Sequence, residues 1–93
     1  MIASWRSRAL KRFFEKGDDR GIRPDWRLKL EILLDALDVA EAPEDLNTIG
    51  AGFHRLKGKP TRWAVSVSPN WRLTFGWDGE DAVDVDLEDY HGK

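Results

Sequence analysis

Between Gly52 and Phe53 the hydrophobic pattern of this 93-residue chain changes period, and that change constrains the fold more than any other feature. Upstream, apolar residues recur at helical spacing: Leu10, Phe13 and Phe14 ahead of Gly17, then Trp26, Leu30, Leu33, Leu34 and Leu37. Downstream they alternate: Trp63, Val65 and Val67; Trp71, Leu73, Phe75 and Trp77; Val83, Val85 and Leu87. A helix presents one face about every 3.6 residues and a strand every second residue, so the chain divides into a helical half and a sheet half. Helices first and antiparallel strands after predict an α+β domain, with two N-terminal helices packed on one face of a small antiparallel sheet and residues 1–93 forming a single domain.

Local signals supply the boundaries. Ser7 is placed to cap the first helix, Gly17 and the Asp18, Asp19 pair end it, Pro24 fits the first turn of the second, and Pro43 stops the second. Met1 to Trp5 reads as an edge strand and Phe53 to Lys57 as a short strand. Pro69-Asn70 and Asp78-Gly79 read as turns. Trp71 alternates with Leu73 and Phe75, which assigns it to the core.

The formal net charge of -2 conceals a strong segregation. Residues 31–52 hold six acids and no base, whereas residues 53–77 hold Arg55, Lys57, Lys59, Arg62 and Arg72 and no acid. Basic residues interleaved with Trp63, Trp71 and Phe75 are what a phosphate-facing surface looks like, although a basic block can equally pair with the acidic strand that follows it. Arg55, Lys57, Lys59 and Arg72 are taken as substrate-binding candidates. The chain has no cysteine, which excludes a disulfide, a thiolate nucleophile and a Cys-based zinc site. Nothing reads as a signal peptide, and no apolar run approaches the ~20 residues of a membrane span, so a soluble cytoplasmic protein without a membrane partner is expected.

Chemistry concentrates in two stretches. His54 stands in "GFHRLKG", and His91 stands in "LEDYHGK" beside Asp89 and Tyr90. Histidine titrates near neutral pH, so two of them flanking one phosphate can act as base and acid. RNA cleavage by the adjacent 2′-OH needs that pair of roles, together with cations to hold the charge that builds on the phosphoryl oxygens. Each residue also has a plainer reading: Arg72 can pair with Asp84 or Asp86, and Lys57 to Pro60 can be a solvated turn. No close histidine pair, carboxylate cluster, Gly-rich phosphate loop, GxSxG or HExxH occurs, so neither a metal nor a cofactor is expected. The residues alone point to a small α+β domain with a basic, aromatic sheet face directed at nucleic acid.

The order of "FHRLKG", "RWAVSVSPNWRLTFGW" and "DAVDVDLEDYH" resembles the HigB toxins of bacterial type II toxin–antitoxin systems, members of the RelE-like ribonuclease superfamily. The resemblance begins at "MIASWRSRALKRFFEKG" and runs over nearly the whole chain. It implies the RelE-like fold, cleavage of mRNA in the A site of the small ribosomal subunit, and a cognate helix-turn-helix antitoxin of the HigA type. It also implies catalytic roles for His54, Asp89, Tyr90 and His91, and cleft positions for Lys57 and Arg72. The acidic segment 31–52, or an acidic outer face of the last strand, is then where an antitoxin would dock. Two other classes compete: a non-catalytic toxin of the same fold that inhibits a protein such as DNA gyrase, and an RNA-binding module that stacks without cutting.

Overall fold

The helical half forms as the spacing dictates. Helix α1 spans Arg8–Lys16. The Ser7 hydroxyl accepts the Leu10 amide at 3.1 Å, meeting one of the donors a helix start leaves open. Gly17, at φ +68°, turns the chain left-handed, and its amide returns to the Phe13 carbonyl at 3.0 Å. A single 3-10 turn, Pro24–Trp26, leads into helix α2, Arg27–Val39. Leu30, Leu33, Leu34 and Leu37 are fully buried along one side of α2, each stabilising the fold by roughly 1.5–3 kcal/mol. Beyond α2 the chain makes a second 3-10 turn, Pro43–Thr48, which the sequence reading lacks. The Asp45 carboxylate accepts the Glu41 and Ala42 amides at 2.8 and 3.3 Å, and Leu46 is buried beneath.

The computed structural model describes residues 1–89; Tyr90, His91, Gly92 and Lys93 lie outside the described residues. Within that range four strands, β1 (His54–Leu56), β2 (Arg62–Ser66), β3 (Trp71–Asp78) and β4 (Asp81–Asp89), form an antiparallel sheet in the order β1-β2-β3-β4. Val65, Leu73, Phe75 and Val85 join the core with the leucines of α2. Trp71 packs on it as its alternation predicts, its ring 5.2 Å from that of Trp26, and Trp63 stacks on Phe75 at 6.2 Å. The architecture is therefore the expected α+β arrangement.

The opening residues are an edge element, but as isolated bridges rather than a continuous strand. Ile2 and Trp5 pair in parallel with Ala82 and Val85, and the Ile2 amide is held by the Asp38 carboxylate of α2 at 3.0 Å. This pairing covers the free edge of β4 and carries Arg6 to the rim of the sheet.

One expectation about β4 is overturned. Val83, Val85 and Leu87 do not share a face, because the register shifts between Thr74 and Gly76 and Asp84 adopts φ +51°. Asp84 is the extra residue of a bulge, its amide donating to the Ser4 hydroxyl at 2.8 Å. Below the bulge Ala82 takes the buried position and Val83 pairs with Gly76 on the opposite, open face; above it Val85 and Leu87 face the helices.

Candidate active site

Directly opposed residues of an antiparallel pair lie on the same face, so the register states which side chains meet. The face away from the helices carries His54, Ala64, Thr74 and Asp86 in one cross-strand row, and Ser66, Arg72 and Glu88 in the next. A third group holds Leu56, Arg62, Gly76 and Val83: a Cβ built on Gly76 would stand 3.3 Å from Val83 Cγ2 and 3.7 Å from Arg62 Nη1. The alanine between His54 and Thr74 leaves a shallow floor two strands wide, about 10 Å.

The organising group on this face is Arg62, which the sequence reading counted among the basic residues but did not assign to the site. Its side chain is only 11% exposed. Nη2 donates to the Thr74 hydroxyl at 3.0 Å and to the Asp84 carbonyl at 2.9 Å, the carbonyl that the bulge turns toward it. The Thr74 hydroxyl donates onward to Glu88, whose carboxylate lies 3.9 Å from Arg62. Burial pushes the Arg62 guanidinium below its ordinary pKa and the nearby Arg6 adds to this, while Glu88, Asp84 and Asp86 oppose it. The arginine, threonine and glutamate thus form one polar network across three strands, buried at Arg62 and Thr74 and open to solvent at Glu88. Alternation with Ala64 and Ser66 was the signal that places Arg62 on the polar face; nothing in the sequence showed that it lies flat across the sheet.

Beside this network Arg6, Leu56, Lys57, Lys59, Pro60, Arg62 and Glu88 enclose a cleft of about 300 Å³. Lys57 and Lys59 therefore line one cleft with Arg6 and Arg62. His54 stands on the same face in the neighbouring row, solvent-exposed. Its Nδ1 lies 2.9 Å from the Gly52 carbonyl, a group that only accepts, so Nδ1 carries the hydrogen and Nε2 is the atom that can take up or release a proton. Arg72 shares the face, donating from Nη1 to the Ser66 hydroxyl at 2.8 Å and to the Ser68 carbonyl at 3.4 Å.

Two expected members do not share that face. Arg55 pairs with Trp63 and so lies on the other side of the sheet from His54, because adjacent strand residues point oppositely. Asp89 pairs with Trp71, also on the helix side, and it is the preceding Glu88 that faces Arg72. The expected convergence of Asp89 with His54, Lys57 and Arg72 on one face is corrected on this point. Tyr90 and His91 lie outside the described residues. The acids of β4 are likewise not a separate outer surface: Asp86 and Glu88 belong to the His54 face itself.

A small antiparallel sheet backed by two helices, with a cation-rich polar face opposite, is the architecture of a RelE-like toxin. Residues 3–91 match the family model of the RelE-like toxin of the type II toxin–antitoxin system HigB. The endoribonuclease HigB of Proteus vulgaris is 36% identical over 92 residues, which cover 98% of this chain and all of that relative. The chain belongs to the HigB-like toxin family. Among the described residues no helix is long and apolar enough to cross a membrane.

Proposed function

We propose that this toxin is an endoribonuclease that cuts mRNA in the ribosomal A site, by attack of a ribose 2′-OH on the adjacent phosphorus. The observation that carries the reading is that His54, Arg72 and the cleft cations Lys57 and Lys59 share one open sheet face, opposite the helices. Such a face can receive an extended RNA strand, and its cations can hold the charge that builds on the phosphoryl oxygens. In this mechanism His91 accepts the 2′-OH proton, His54 protonates the departing 5′-oxygen, Tyr90 orients a base, and Lys57 with Arg72 stabilises the phosphorane. The endoribonuclease activity of the Proteus vulgaris relative supports the same chemistry. Cytoplasmic ribosomes are the site of action, and the partner that silences the toxin is a helix-turn-helix antitoxin of the HigA type. The exposed acids of α2, Glu31 and Asp35, are its proposed contact, which leaves the sheet face free.

Incubation with translating ribosomes followed by mapping of mRNA 5′ ends tests the proposal. Codon-positioned cuts that leave cyclic-phosphate ends are expected. Bound but intact RNA would replace the nuclease with a binding module, and inhibited DNA supercoiling would replace it with a gyrase poison.

A further inference from the structure

Some cations of this protein are held in ion pairs and others are not. Arg20, Arg23 and Arg27 are engaged by Asp18, Asp25 and Asp19 at 2.8 to 3.1 Å. Arg6, Lys57 and Lys59 enter no ion pair among the described residues, yet all three are gathered around one cleft with Arg62. Holding like charges together costs free energy unless an anion is there to receive them. The acid that lines the cleft, Glu88, lies 3.9 Å from Arg62 and offsets one positive charge, which leaves those of Arg6, Lys57 and Lys59 in excess. Arg6 lines the cleft together with Lys57 and Lys59, so the N-terminal segment and the β1–β2 loop present their charges to the same space. Leu56 and Pro60 line the same cleft, an apolar wall that suits a ribose or base rather than a bare ion.

We propose that this cleft is a second phosphodiester subsite for single-stranded RNA, in which Arg6 and Lys59 grip the phosphate neighbouring the one cleaved, over a floor held by Arg62, while Lys57 at the cleft's border stays with the cleaved phosphate. The subsite rests on the endoribonuclease reading and extends it: His54 does not line the cleft but stands in the adjoining row, so the two positions serve successive phosphates of one strand. Contacts of this kind set the register of the strand without reading its sequence. They also give a chain of net charge -2 a local electrostatic handle on RNA.

The test is the salt dependence of binding of a ten-nucleotide oligouridylate, followed by fluorescence anisotropy. Each phosphate contact on a single strand contributes about 0.7 to the slope of log K against log salt, which amounts to about fivefold in affinity at 0.1 M salt. Arg6→Ala and Lys59→Ala, both exposed in the fold, should each lower the slope by about that amount. Arg20→Ala, whose cation Asp18 already engages, should leave it unchanged. Unaltered slopes in Arg6→Ala and Lys59→Ala would overturn the subsite, as would losses confined to binding of empty ribosomes, which would assign these cations to ribosomal RNA. Unaltered slopes with normal mRNA cuts remove the subsite and keep the nuclease; reduced slopes with mRNA uncut do the reverse.

Discussion

Replacing Thr74 by valine removes one hydroxyl and almost no volume, and it tests whether the open face is organised as a network. Thr74 is fully buried, accepts from Arg62 and donates to Glu88. A hydrogen bond to a charged partner contributes about 1.5–3 kcal/mol, so the two bonds set a ceiling of roughly 3–6 kcal/mol. Two facts lower that figure: the Glu88 side chain is 39% exposed and regains water, and Arg62 keeps the Asp84 carbonyl at 2.9 Å. The expected loss is about 2 kcal/mol, or a fall in Tm of roughly 8–16 °C for a domain of this size. Urea and thermal unfolding followed by fluorescence of the five tryptophans measure it. The double variant with Glu88→Gln should show a coupling of about 1 kcal/mol. A loss in Thr74→Val below about 0.5 kcal/mol, or simple additivity with Glu88→Gln, would refute the network and leave Arg62 as an isolated buried cation.

Three further outcomes follow from the same geometry. His54→Ala should lower mRNA cleavage on ribosomes about 100-fold with little change in Tm, while Arg55→Ala, on the other side of the sheet, should cost less than about threefold; equal losses in single-turnover assays would undo the facing argument. Gly50→Ala should destabilise by roughly 1–3 kcal/mol or more in denaturant titrations, because its Cβ would stand 2.0 Å from Val65 Cγ2 and 3.1 Å from Leu33 Cδ2; a neutral result would mean that this corner of the core can yield. The Arg20 guanidinium beside Asp18 holds its carboxyl well below the usual carboxylate range, and Arg23 lowers Asp25 in the same way. A folded-state pKa below the unfolded one adds stability that is complete above about pH 4 and is lost as pH falls through the folded value. Arg20→Ala should return the Asp18 titration, read by NMR, toward about 3.9, and an unmoved titration would exclude Arg20 as the cause.

The helical half was nearly all legible, because its signals are local. Ser7 needs only the amide of Leu10, Gly17 only its own φ, and the leucine stripe only its spacing. The sheet half was legible as far as alternation holds, and alternation fails at Asp84. An aspartate can adopt a left-handed backbone, but "VDVDL" gives no sign of which aspartate does so, since the choice depends on the Ser4 hydroxyl 80 residues away. Every face assignment on the near side of that bulge was therefore inverted, and Val83 exchanged places with Ala82. In the candidate site the sequence identified residue types well and facing poorly. His54 and Arg72 lie on the sheet face that Lys57 and Lys59 border, whereas Arg55 and Asp89 are a single residue out of phase. Arg62 was passed over because a basic residue opening a strand looks like any solvated one until its partners on β3 and β4 are known.

The parallel bridges from Ile2 and Trp5 to β4 have a kinetic meaning. They join the first residues of the chain to the last strand, across some 80 residues, and closing a loop of that length costs about 4 kcal/mol of chain entropy. On a chain emerging from its own ribosome, helix α1 and the β2–β3 hairpin can form from neighbours already made, but this edge must wait until β4 has been synthesised. Arg6 travels with that edge. The cleft's full charge is therefore assembled only once β4 has been made, later than helix α1 and the β2–β3 hairpin.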